Sequence, residues 1–108
     1  MMENELVQEA VAVLQEAAPT ARVILFGSRA RGDASERSDL DFLVVEPGVA
    51  NRWDEMLRLK VALQSFPVSV DIVVQSDETF QYWRETPNTL SFAADKEGRV
   101  FEPLARAS

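Results

Sequence analysis

Three aspartates sit in apolar runs that give them little structural reason to be there. Asp39 and Asp41 flank Leu40 at the head of Asp39-Leu40-Asp41-Phe42-Leu43-Val44-Val45, and Asp71 interrupts Val70-Asp71-Ile72-Val73-Val74. Residues two apart on a strand point to one face, which puts the Cα atoms of Asp39 and Asp41 roughly 6.7 Å apart on a shared face. A buried carboxylate without a partner is costly. If the two runs are neighbours in a sheet, all three carboxylates converge. Oxygen-only donors of this kind suit Mg²⁺ or Mn²⁺, which keep several waters and complete their shells with substrate phosphate. Taken singly, each aspartate is explained by a solvated strand edge or turn. Three such coincidences favour a site.

The loop upstream supplies a second half. Gly27-Ser28-Arg29-Ala30-Arg31-Gly32 follows an apolar strand-like run directly. Glycine at the turn admits close backbone approach, successive N–H groups form an anion-binding nest, and a helix beginning after Ser28 would aim its N-terminus at the same anion. Ser28 adds a hydroxyl. Arg29 and Arg31 are open between phosphate contacts and solvated loop charges. Gly27 and Gly32 have the spacing of a P-loop's glycines, but Asp33-Ala34 stand where that motif needs Lys and Ser/Thr, so a P-loop is rejected.

Composition narrows the chemistry. The 108 residues contain no histidine and no cysteine, which removes imidazole bases, thiolate metal sites and a disulfide scaffold. With 11 Lys+Arg against 18 Asp+Glu the net charge is −7, which argues against a nucleic-acid backbone as partner. Hydrophobic residues at 46% are too many for a disordered chain. No run approaches the ~20 apolar residues of a membrane span, and the opening residues lack a leader's pattern. A cytoplasmic protein of one domain, residues 1–108, is expected.

The elements that must position these groups follow from periodicity. Leu6, Val7, Ala10, Val11, Leu14, Ala17 and Ala18 describe a helix, with Asn4 as N-cap and Pro19 as its stop. Residues 22–26 and 39–45 read as strands, the second closed by Pro47-Gly48. Trp53, Met56, Leu57 and Val61, with Leu59 and Leu63 offset from them, mark a second helix ended by Pro67, and 68–74 a third strand. Residues 77–95 read as helical, capped by Asp77 and broken at Pro87, with Thr86 capping the second segment and Phe80, Trp83, Leu90 and Phe92 inward. Gly98 to Glu102 reads as a short strand. Trp53, Tyr82 and Trp83 are assigned to packing or a partner surface rather than to a base-stacking platform. The order predicts an α+β, α/β-like fold with one small mixed sheet packed with helices.

Gly27-Ser28, ten residues, Asp39-Leu40-Asp41 and then Asp71 in an apolar strand together resemble the nucleotidyltransferase superfamily of the DNA polymerase β type, over about residues 22–74. The short chain resembles its minimal nucleotidyltransferases. The resemblance implies the nucleotidyltransferase fold, with Gly27 and Ser28 holding nucleotide phosphates and Arg29 and Arg31 as further candidates. It also implies that Asp39, Asp41 and Asp71 bind Mg²⁺ or Mn²⁺, Asp71 orienting or deprotonating the attacking hydroxyl. Such proteins pair with a HEPN-type ribonuclease toxin encoded nearby, for which they act as antitoxin by moving AMP from ATP onto a tyrosine. Two alternatives stay open: an antitoxin that only occludes its partner, and a transferase acting on a small molecule such as an aminoglycoside.

Overall fold

The computed structural model describes residues 3–27 and 39–105. Helix α1 (Glu3–Ala17), strands β1 (Arg22–Phe26) and β2 (Leu40–Glu46), helix α2 (Arg52–Ala62) and strand β3 (Val70–Ser76) are followed by helices α3 (Asp77–Trp83) and α4 (Leu90–Glu97) and strand β4 (Arg99–Phe101). The strands form one mixed sheet in the order β3-β2-β1-β4. β1 is antiparallel to both β2 and β4, whereas β2 and β3 are parallel and joined through α2. The expected small mixed sheet packed with helices is the fold found.

Alternation along the strands sorts their side chains between two cores. Val23 and Leu25 of β1, Leu40, Phe42 and Val44 of β2 and Ile72 and Val74 of β3 pack against Val7, Ala10, Val11 and Leu14 of α1 and Leu59 and Leu63 near α2. The opposite face carries Ile24, Leu43 and Val45, covered by Phe80 of α3 and Ala94 of α4, with Val73 and Leu90 packed alongside. Buried on both faces, β2 reads as a nearly unbroken apolar run. Gly98 lets β4 join: a Cβ there would collide with the Ala94 carbonyl and Ile24 Cγ2.

Several boundaries differ from expectation. α1 begins at Glu3, ahead of Asn4. α2 ends at Ala62 rather than near Pro67, because Leu63 closes it through its N–H to the Leu59 and Lys60 carbonyls and a turn follows, delaying β3 to Val70. Ser76, not Asp77, caps α3, its Oγ accepting from the Thr79 N–H at 3.1 Å. Thr89, not Thr86, caps α4, accepting from the Phe92 N–H at 3.1 Å. Asn88 explains the shift: at φ +67° it turns the chain after Pro87, and the helix restarts beyond it. Trp83, expected inward, is exposed, since Phe80 alone fills the space under α3.

Gln15, Glu46 and Ser91 are the buried polar side chains among the described residues, and of these Glu46 is ionisable. Glu46 is buried at the end of β2, and its Oε2 accepts no hydrogen bond. Burial, and then a hydrogen bond shared with Glu55, raise its pKa from 4.5 to about 8. Glu55 moves the other way, chiefly because Arg58 grips it with Nε at 2.6 Å and Nη2 at 2.7 Å. Arg58 Nη1 also donates to the Ala17 carbonyl at 2.8 Å, so the cluster ties α2 to the end of α1.

The folded protein therefore holds a proton on Glu46 that the unfolded chain releases above about pH 4.5. The stability this contributes is complete below that pH and is lost as pH rises through about 8. Glu46→Gln, neutral at every pH, should melt with the wild type at pH 4 and well above it at pH 9, each 1 kcal/mol being worth about 4–8 °C in a domain this size. Parallel melting curves across that range would remove the shared proton from the account.

Candidate active site

The parallel pairing of β2 with β3 sets Asp41 directly beside Asp71 in register. Side chains of register partners share a face, and neighbouring strands lie about 4.8 Å apart. That face is the one covered by α3 and α4, and its apolar packing reaches only as far as the row of Leu43 and Val73. In the next row Asp41 is half-buried and Asp71 exposed, so both carboxylates stand at the open end of the face. Asp39 precedes β2 by one residue and is exposed. A hydrogen bond from the Leu40 N–H to the Ser69 carbonyl, 3.0 Å, ties the head of β2 to the residue before β3 and holds the register.

β1 brings the third component. Its last residue, Phe26, is the register partner of Asp41, which carries the following Gly27 over the Asp41 side chain. Gly27 has φ +80°, and a Cβ at that position would stand 2.6 Å from Asp41 Oδ2. Glycine is thus required twice, for its backbone angle and for the room it leaves the carboxylate. Residue types alone suggested a turn for phosphate; contact with Asp41 depends on the antiparallel register and was not legible. Ser28, Arg29 and Arg31 lie outside the described residues.

Two like charges side by side on a sheet destabilise it. Such a pair suits a divalent cation. Among the described residues no group of three or more carboxylates is placed to hold an ion, so the expected convergence of all three aspartates is reduced to the Asp41–Asp71 pair. A hard cation here would take two or three oxygens from the protein and the rest from water and substrate, as Mg²⁺ does. The donor set and its open exposure fit that use.

The model of the nucleotidyltransferase domain matches residues 7–96, spanning α1 through most of α4 and enclosing Gly27, Asp39, Asp41 and Asp71. The chain belongs to the nucleotidyltransferase family. A relative in Methanocaldococcus jannaschii, whose name assigns it as a protein adenylyltransferase, is 37% identical over 83 residues, covering 73% of this chain and 75% of its own. A solved minimal nucleotidyltransferase superposes with a TM-score of 0.62 at 33% identity, over 92% of this chain and 95% of that one. A toxin–antitoxin complex crystallised with AMP-PNP contains a chain sharing the fold, with a TM-score of 0.57 at 21% identity over 98% of this chain and 75% of that one. This nucleotidyltransferase thus has the architecture its Gly27-Ser28 and aspartate pattern implied, and it is an enzyme by family. Among the described residues no helix is long and apolar enough to cross a membrane.

Gly27→Ala should destabilise this nucleotidyltransferase by about 1–2 kcal/mol through backbone strain, plus a steric cost at Asp41. In an Asp41→Ala background only the strain remains, so the second cost should vanish. A double-mutant cycle of denaturant melts reads the difference. Additive effects would mean that Gly27 does not seat Asp41.

Proposed function

We propose that this nucleotidyltransferase moves AMP from ATP onto a tyrosine hydroxyl of a partner protein, a HEPN-type toxin encoded beside it, and so acts as its antitoxin in the cytoplasm. The observation that carries the reading is the lateral register of Asp41 and Asp71 beside the Gly27 turn. The names of the relatives support the protein acceptor and the toxin pairing.

In this reading Gly27 and Ser28 hold the phosphates of ATP, with Arg29 and Arg31 beside them. Asp39, Asp41 and Asp71 hold Mg²⁺ or Mn²⁺. The ion, when bound, offsets the negative charge gathered by the triphosphate and the departing pyrophosphate. Asp71, on the edge strand β3 and exposed, faces the side from which an acceptor can arrive. Its carboxylate takes the proton of the attacking hydroxyl. The tyrosine oxygen bonds to the α-phosphorus, the bond from that phosphorus to the bridging oxygen breaks, and pyrophosphate leaves. Histidine is not needed, because positioning and charge stabilisation carry the transfer.

The neighbouring gene product should acquire AMP on tyrosine when mixed with this chain, labelled ATP and Mg²⁺. Asp41→Asn and Asp71→Asn should each abolish labelling, and Asp71→Asn should leave the metal-free melting temperature equal or higher, because it removes one of two facing charges. A marked fall in that temperature would make Asp71 structural. Labelling of an added aminoglycoside in place of the protein would move the acceptor to small molecules. Full neutralisation of the toxin by Asp41→Asn would leave occlusion as the mechanism.

A further inference from the structure

α2 is apolar on two sides. Leu59 and Leu63 face the core, but Trp53, Leu57 and Val61 are 64, 64 and 53% exposed. These three recur at i, i+4 and i+8 and form a ridge about 12 Å long on the outer surface of the helix. The sequence sets Leu59 and Leu63 off from the other apolar residues of this helix, and the structure shows that this offset pair is the inward one.

The charges beside the ridge are distinctive. Arg22, Arg58, Arg84 and Lys96 each make an ion pair, and Arg99 stacks on Phe101. Arg52 and Lys60 make no ion pair among the described residues. Arg52 lies over the Trp53 ring at 4.8 Å, at one end of the ridge. Lys60 adjoins Val61 at the other. Two cations without an ion pair among the described residues, one of them stacked on Trp53, thus bracket the exposed apolar ridge of a chain of net charge −7.

We propose that this ridge docks an amphipathic helix of another protein, one with acidic residues flanking its apolar stripe. Such a helix would bury Trp53, Leu57 and Val61 while its carboxylates meet Arg52 and Lys60. A second copy of the chain fits less well. An antiparallel two-fold pair sets Arg52 against the partner's Lys60, and a parallel pair sets each cation against its own copy. α2 packs on the sheet face opposite Asp41 and Asp71, so a helix seated on the ridge leaves the carboxylates open. The surface is independent of the transfer reaction.

The test uses two synthetic helical peptides with the same leucine stripe, one flanked by Glu and the other by Lys. In a Trp83→Phe background, Trp53 is the single tryptophan and reports docking by a blue shift. The Glu peptide should bind about tenfold more tightly than the Lys peptide. Arg52→Glu with Lys60→Glu should reverse that order, and Leu57→Ser should remove binding without lowering the melting temperature. Equal affinities, or no shift with either peptide, would overturn the proposal. So would a dimer in sedimentation that Leu57→Ser dissolves. Failed AMP transfer with intact, charge-selective peptide binding would sink the transfer reading alone.

Discussion

The parallel pairing of β2 with β3 is the constraint on which the rest of this molecule depends. It sets Asp41 beside Asp71, an arrangement that two like charges oppose. The pairing persists because the rows behind the carboxylates are apolar on both faces. Phe42, Val44, Ile72 and Val74 are held by one helical layer, and Leu43 and Val73 lie against the other. A slip of one residue would send Asp71 into the α1–α2 core and expose Val70 or Ile72 in its place. The apolar strands thus stabilise the fold and also hold two mutually repelling groups at one level.

The antiparallel partner completes the arrangement through a missing side chain. β1 ends opposite Asp41, and the turn that follows lies so close that only glycine fits over the carboxylate. The turn and the strand aspartates are therefore one constellation, with a single backbone contact linking anion-binding chemistry to cation-binding chemistry. The extent of α3 and α4 matters equally. Their cover over Leu43 and Val45 stops short of Asp41, which keeps the carboxylates accessible while the sheet behind them stays dry.

Much of this was legible from residue types. Asp41 and Asp71 stood out because a carboxylate breaks an apolar strand, and the α+β order followed from periodicities of two and 3.6. Trp53 and Leu57 were not legible in the same way. On a helix with two apolar sides, composition does not reveal which side meets the sheet; only the neighbours of Leu59 and Leu63 decide it. The cap of α4 was misplaced because Asn88 takes a left-handed angle that no pattern of hydrophobicity records. Glu46 falls just past the run read as a strand, and nothing in that run signals that the folded chain buries it beside Glu55.

That buried carboxyl also changes how the protein exchanges protons with its surroundings. Holding a proton to about pH 8, Glu46 leaves the folded domain at neutral pH nearly one charge less negative than its composition implies. Unfolding exposes it, and about one proton passes to the buffer. The heat absorbed on melting then includes the buffer's own protonation enthalpy. Calorimetric enthalpies taken in phosphate and in Tris at the same pH differ by that amount, even though the midpoint of unfolding is the same.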